Sequence, residues 1–391
     1  MKIIFWIALF IVFYTYIGYG ILLYIIIRLK RLFVGRPHEA VLPADEELPT
    51  MTLMICAYNE EDIVKEKMAN TLALDYPKDK FRTMWVTDGS NDHTNELLAA
   101  YPEVDIVFSP ERRGKTAALK HGLRELKTRY VAFTDANTMI NTGALREIAR
   151  LFSDPTVGCV SGEKRVAARK AGEMASEGEG LYWRYESTLK RWDSELYSAM
   201  GAAGELYAID PQLCREVPDE ALLDDFMLSM YVVQAGKRIA YTSDAYAREY
   251  GSANIYEESK RKRRIAAGGL QSIWWLRSML NPLRQPLVTF QYVSHRVLRW
   301  SITPVAMVLL LIVNIALVAM GAGTFYTVML ILQTLFYLMA LAGWLTNRFG
   351  YKNKLLYTAY YFVFMNFNVF RGMAYLRSHG KSGAWEKAKR S

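Results

Sequence analysis

The chain has 391 residues, 52% of them hydrophobic and 22% charged, with 48 Lys plus Arg against 39 Asp plus Glu and a formal net charge of +9. Its apolar residues are segregated: 3–27 holds no charge over 25 positions and 300–347 none over 48, which excludes a disordered chain, a collagen and a purely soluble enzyme. A helix rises 1.5 Å per residue and a hydrocarbon core is roughly 30 Å thick, so about 20 apolar residues cross it; the first run is long enough to span once and the second twice.

The first run follows only Met1-Lys2, is too long for a signal-peptide h-region and has no A-x-A site before Arg28. It reads as a retained anchor over 1–30. Basic clusters sit beside the apolar runs at Arg28, Lys30 and Arg31, at Arg296 and Arg299, and at Arg348, Lys352 and Lys354. Such clusters mark cytoplasmic flanks, which places the stretch between the runs in the cytosol, on the inner face of a membrane of the bacterial cytoplasmic type. The bilayer alone accounts for the positive balance. Cys56, Cys159 and Cys214 are an odd number with no C-x-x-C, so the sequence offers neither a disulfide framework nor a zinc knuckle and agrees with a reducing compartment.

A polar stretch from Arg36 to Pro49 reads as a linker. Over 50–250, β-rich runs at 51–57, 81–87, 104–108, 130–134 and 157–161 alternate with helical stretches such as 63–73 and 115–126. That alternation predicts an α/β fold with a mostly parallel, doubly wound sheet, in which ligands bind beyond the carboxyl ends of the strands. Three of the loops at those ends are acidic or amide-bearing: Asn59-Glu60-Glu61, Asp88-Gly89-Ser90-Asn91-Asp92 and Asp135-Ala136-Asn137. Beyond residue 170 the chain turns helical and aromatic, from Gly180-Leu181-Tyr182-Trp183 to Trp192, and Asp224-Asp225 opens a helix-like run over 226–235.

Residues 251–298 read as basic and interfacial helices: Lys260 to Arg264 leads into 271–280, where Trp274, Trp275 and Met279 alternate with polar positions. The membrane block, 299–378, splits at Gly321-Ala322-Gly323. A further hydrophobic stretch, 355–376, is interrupted by Asn366, Asn368 and Arg371; it is either a span whose polar residues face protein or an interfacial helix. Three C-terminal spans would put Lys387, Lys389 and Arg390 of the basic tail, 379–391, outside, against the charge rule.

Aspartates at the ends of strands suit hydrogen bonds to a ribose and a hard divalent cation, Mg²⁺ or Mn²⁺, bridging a diphosphate. Asp-Gly and Ser-Asn are equally common as turn residues. Gly114-Lys115-Thr116 resembles the end of a phosphate-cradling P-loop, but Ser109 stands where its first glycine would be, so an ATPase is excluded. Lys115 at a helix start can still meet an anion. Asp224 and Asp225 resist joint ionisation, which raises one pKa toward the range of a general base; the same pair also reads as a helix N-cap.

Taken in order, Cys56-Ala57-Tyr58-Asn59-Glu60, Val86-Thr87-Asp88-Gly89-Ser90, Gly114-Lys115-Thr116-Ala117-Ala118-Leu119, Phe133-Thr134-Asp135-Ala136-Asn137, Gly204-Glu205-Leu206-Tyr207-Ala208 and Leu223-Asp224-Asp225 closely resemble membrane-embedded inverting family-two glycosyltransferases of the cellulose, hyaluronan and poly-N-acetylglucosamine synthase type. The resemblance runs from about residue 50 to 270, and the flanking membrane helices are similar in arrangement. It implies a GT-A, Rossmann-like fold that binds a nucleoside-diphosphate sugar, UDP by resemblance, on the cytosolic face. By position, Tyr58, Glu60, Asp88 and Lys115 would hold the nucleotide, and Asp135 with Asn137 would stand at the D-x-D pair for the diphosphate and its cation. Asp225 would be the base that deprotonates an acceptor hydroxyl as it attacks the anomeric carbon with inversion. Gly204, Glu205 and Asp224 would line the acceptor site, and Arg261 and Arg264 would neutralise the leaving diphosphate.

Two departures stand out. Asn137 replaces the second aspartate, and the family's Q-x-x-R-W is here Arg261-Lys262-Arg263-Arg264-Ile265, without the glutamine or the acceptor-stacking tryptophan. Trp274 or Trp275 could stand in for that tryptophan or simply anchor a helix at the interface. Three functions follow: an enzyme extending an exopolysaccharide, with accessory export subunits as partners; a transferase adding one sugar to a lipid-linked acceptor; and an inactive scaffold in an export complex. None has a nucleic-acid partner.

Overall fold

A computed structural model describes residues 1–35, 40–167, 174–250, 255–349, 351 and 353–379. The expected linker start at Arg36 to His38, Lys352, and the tail residues Lys387, Lys389 and Arg390 lie outside the described residues.

The first helix, α1 (Lys2–Val34), is apolar over its first half and carries a π-helical turn at Tyr14–Gly18. The next segment alternates strand and helix: β1 (Met51–Ala57), α2 (Val64–Leu72), β2 (Phe81–Asp88), α3 (Thr94–Leu98), β3 (Val104–Ser109), α4 (Lys115–Arg124), β4 (Tyr130–Asp135), β5 (Met139–Ile140) and α5 (Ala144–Phe152). Then come β6 (Val157–Ala167), α6 (Met174–Leu196), β7 (Leu206–Ile209), α7 (Asp224–Gln234), β8 (Arg238–Tyr250) and α8 (Ile255–Trp275). They build one eight-stranded mixed sheet of order β3-β2-β1-β4-β7-β6-β8-β5.

The first half of the sheet, β3-β2-β1-β4, is parallel. β1 reads as an almost continuous apolar run because both of its faces are covered: Met54 packs on one side with Val86, Phe133 and Tyr207, and Leu53 and Ile55 on the other with Trp85, Leu145 and Ile148. The register sets Cys56 beside Asp135 and Ala57 beside Thr87. Three parallel strands therefore end level, and the loops beginning at Tyr58, after Asp88 and after Asp135 share one edge. β7 enters antiparallel to β4 and β6, and β6 pairs parallel with β8, so the sheet is mostly parallel, as expected, with an antiparallel strand inserted at its centre. At four residues, β7 is too short to carry a periodicity signal.

α9 (Pro286–Ala319) and α10 (Thr324–Arg348), with α1, are long and apolar enough to cross a membrane. They part at the expected place, where Gly321 and Gly323 take φ of 64° and 129°, a region open to glycine at little cost. α11 (Lys354–His379) turns its two asparagines inward, where Asn366 accepts a hydrogen bond from the Tyr16 hydroxyl (2.6 Å) and Ser259 of α8 donates to Asn368 (3.1 Å), while the exposed Arg371 reaches back to donate to Ser259. The core on the α7 face of the sheet continues without a break into Val288, Tyr292 and Val297 of α9.

Candidate active site

The site starts at the level ends of β1, β2 and β4. Asn59 takes a positive φ of 51°, and its amide exchanges hydrogen bonds with Asn91 (2.7 and 3.0 Å), while its backbone N–H donates to Ser90 (3.1 Å). The N–H of Glu60 donates to Thr94 (2.9 Å). The β1 and β2 loops are thus tied side to side. The Tyr58 ring lies under the Arg112 guanidinium, 3.9 Å from its centroid, a cation–π contact.

Asp88 is buried, and its carboxylate accepts the backbone N–H groups of Arg113 (3.0 and 3.1 Å) and Gly114 (2.6 Å). It thereby fixes the turn that opens α4 and places Lys115, whose ammonium donates to Asp135 (2.7 Å). Desolvation works against that ammonium, but the carboxylates of Asp135, Asp224 and Asp225 outweigh it and hold the Lys115 pKa well above the ordinary range.

Leu223 occupies the N-cap position of α7, so neither aspartate is the cap. Asp225 instead accepts the N–H of Phe226 (2.7 Å) at the positive end of the helix. Its carboxyl is pushed up to about 6, first by burial and then by the Asp224 charge, with Lys115 opposing. Asp224 is also buried, and its Oδ2 has no hydrogen-bond partner among the described residues. Gly204 makes room for the pair: a Cβ there would stand 2.6 Å from Asp225 Oδ2. Glu205 is held by Lys164 (2.5 Å) and Arg261 (3.6 Å), and these cations keep its carboxyl well below the usual range despite burial. Arg261 also faces Glu258 (3.7 Å).

A cavity of about 420 Å³ joins these groups. Lys115, Asp135, Asp224, Asp225, Arg261 and Arg264 line it, together with Gly204 and Glu205; Asp88 at the end of β2 and Tyr58, Glu60 and Asn137 in the strand-end loops sit outside it. The cavity runs on between the membrane-length helices to Tyr16 of α1 and to Phe362, Met365 and Val369 of α11. Its tryptophans are Trp183 and Trp300, and neither Trp274 nor Trp275 borders it. Trp274 is 67% exposed, whereas Trp275 packs against the core.

Sequence reasoning missed Trp183, Lys190, Arg296, Arg299 and Trp300 as lining residues. A signal existed: Glu186, Lys190 and Asp193 follow each other at i, i+4 and i+7, one stripe of α6. A Glu-to-Lys i, i+4 spacing ordinarily reads as a solvated surface pair. Here Glu186 is buried and takes Arg296 (2.7 Å), Arg299 (2.9 Å) and His295 (3.3 Å), while Asp193 takes His295 (2.5 Å) and Gln291 (3.0 Å).

For a divalent cation, the strand-end loop offers the carboxylate of Asp135 and the amide oxygen of Asn137, both hard donors. Among the described residues no three His, Cys, Asp or Glu side chains gather into a metal cluster, and Lys115 already engages Asp135. Such a donor set fits a cation that completes its shell with substrate phosphates and water, the usual habit of Mg²⁺.

Residues 52–209 match the protein family described as Glycosyl transferase family 2. A poly-β-1,6-N-acetyl-D-glucosamine synthase from Staphylococcus aureus is 34% identical over 125 residues, 31% of this chain and 30% of that protein. A β-monoglucosyldiacylglycerol synthase from Synechocystis sp. is 25% identical over 259 residues, 62% of this chain and 53% of the relative. The chain thus spans from about a third to half of the length of these curated relatives. Among solved structures, a mannosyltransferase from Pyrobaculum calidifontis, in complex with GDP-Man and Mn²⁺, superposes with a TM-score of 0.68 at 21% identity, covering 95% of this chain and 98% of the other. The shared fold therefore includes the helices outside the sheet domain.

Proposed function

From a glycosyltransferase family 2 domain at residues 52–209, in a GT-A fold flanked by helices of membrane-spanning length, we propose that this chain is a membrane-bound inverting glycosyltransferase. It takes a sugar from a nucleoside-diphosphate donor, with UDP as the nucleotide, and passes it to a hydroxyl of a cell-surface glycan or its lipid-linked precursor at the cytosolic face. One observation carries the reading: Asp225, a carboxylate tuned to about 6, lines the same cavity as the Lys115–Asp135 pair at the strand ends.

In the reaction Asp225 accepts the acceptor O–H proton as that oxygen forms its bond to the anomeric carbon. The bond from that carbon to the diphosphate oxygen breaks, and the nucleoside diphosphate leaves with the electron pair. Lys115 offsets the charge that collects on the leaving group. Asp135 and Asn137 would hold a divalent cation, which supplies charge neutralisation at the diphosphate when bound. Tyr58 offers a face for the base, and Asp88 fixes the turn that carries Lys115.

The acceptor divides two readings. Elongation of a polysaccharide follows from the motif order; single transfer to a lipid-linked acceptor is favoured by the apolar wall of Phe362, Met365 and Val369 in the cavity. Both are tested by incubating the detergent-purified protein with radiolabelled UDP-sugars, with and without Mn²⁺ or Mg²⁺, and sizing the product. A long polymer supports the first reading and a short, lipid-extractable product the second. Asp225→Asn should lower turnover roughly 10²- to 10⁴-fold, the usual worth of a positioned base, and wild-type turnover in that variant would overturn the assignment.

A further inference from the structure

Lys190 is the buried cation of α6 that the mechanism does not use. It is 5% exposed, lines the cavity, and has neither a hydrogen bond nor an ion pair among the described residues. The nearby carboxylate of Glu186 is already shared by His295, Arg296 and Arg299. Burial and the Arg296 charge push the Lys190 ammonium below the usual lysine range, against the pull of Glu186, Glu205 and Asp225, so it lies within electrostatic reach of Asp225. On the same cavity wall, Arg264 has a solvent-shielded Nε with no partner among the described residues.

A buried cation left unpaired costs stability and is retained where an anion completes it. Lys190 is such a cation, and the partly buried Arg264, with its shielded Nε, faces the same cavity; that cavity is walled by Phe362, Met365 and Val369 from α11 and Tyr16 from α1. Guanidinium forks suit phosphoryl oxygens, and an ammonium adds a point charge. The apolar wall on the membrane-helix side suits a hydrocarbon chain. A neutral acceptor, whether a glycan or a diacylglycerol, would leave both cations unmatched.

We infer that Lys190 and Arg264 form a phosphoryl-binding pocket on the membrane-helix side of the cavity, and that the acceptor is a lipid with a phosphoryl headgroup. This rests on the transferase reading and narrows its acceptor to one chemical class.

Tryptophan fluorescence of the full-length, detergent-solubilised protein tests it, since Trp183 and Trp300 line the cavity. The probes are a polyisoprenyl phosphate, the matching polyisoprenol, inorganic phosphate and UDP. Wild type should bind the lipid phosphate roughly tenfold or more tightly than the alcohol, as a charge-assisted contact warrants. Lys190→Met and Arg264→Gln should each erase about tenfold of that preference and leave the alcohol unchanged, whereas Lys190→Arg keeps it. Equal binding of lipid phosphate and alcohol by wild type overturns the inference. Weakened UDP binding in Lys190→Met or Arg264→Gln, with lipid phosphate unaffected, moves that residue to the donor and also overturns it, as does inorganic phosphate binding as tightly as the lipid.

Thermal melting separates a structural role. Because Lys190 gives up no partner on replacement, Lys190→Met should melt at or above the wild-type temperature, and a marked drop would show the lysine to be part of the scaffold. Turnover of UDP-sugars, and its loss in Asp225→Asn, is scored separately, so failure of the lipid phosphate leaves the transferase reading standing and loss of that reading shows in turnover alone.

Discussion

A carboxylate serves as a base only once it is ionised, so the surroundings of Asp225 set the acid limb of the pH profile. Its carboxyl is pushed up to about 6, first by burial and then by Asp224; the ionised fraction, and with it kcat/KM, should climb as pH rises through about 6 and level off above. Asp224→Asn removes one negative neighbour, which lowers the Asp225 pKa and moves the limb to lower pH by up to roughly one unit. A profile of kcat/KM against pH for that variant superposing on wild type would take Asp224 out of this role. Gly204 acts on the same carboxylate through space: Gly204→Ala puts a Cβ 2.6 Å from Asp225 Oδ2, so kcat should fall at least about tenfold with little change in donor KM. The two aspartates were legible in the sequence as a pair whose charges oppose each other. Which residue caps the helix was not, because a cap depends on where the chain bends, and here Leu223 holds that position.

At the scale of elements, the loop after β4 is braced from behind by α2. Lys67, fully buried, donates to the carbonyl of Thr138 (2.5 Å) and to Thr134 (3.3 Å), the residues on either side of Asp135 and Asn137. Burial pushes its ammonium down to about 7, so between pH 7 and 10.5 the unfolded chain binds a proton that the folded chain does not. Stability from this group therefore rises with pH across that window. Wild type should gain on Lys67→Met by on the order of a few kcal/mol between those limits; melting curves for the two proteins that run parallel with pH would refute it. On the front of the loop, Asn137→Asp restores a second carboxylate and should lower the Mn²⁺ concentration for half-maximal turnover several-fold, as a metal titration reads directly. The parallel half of the sheet and its acidic strand ends were legible because strands covered on both faces form apolar runs closed by polar loops. The antiparallel insertion of β7 was not, since β7 pairs with β4 across 71 intervening residues (Thr134 with Leu206), and nothing local records such a partner.

Across the whole molecule, the sheet domain and the membrane-length helices cannot be treated as two bodies joined by a tether. One apolar core runs from Met54 and Phe133 of the sheet through Phe226 to Tyr292 and Val297 of α9, and one buried charge network ties α6 to both α1 and α9. In that network Tyr19 of α1 and His295 of α9 meet on Asp193, while Arg296 and Arg299 meet on Glu186. Glu186 is the negative hub: its neighbours hold its carboxyl well below the usual range in spite of burial. Neutralising it takes from both buried guanidinium groups the carboxylate they share, and breaking a buried ion pair costs about 3–5 kcal/mol. Glu186→Gln should accordingly lower the melting temperature of the detergent-solubilised protein, and a single transition should report the sheet domain and the helices together because both lean on the same cluster. Adding Arg296→Met removes one of the two uncompensated positive charges, so the double variant should recover part of the loss and not sum the two single effects. Strict additivity would show that the cluster does not couple the domain to its helices.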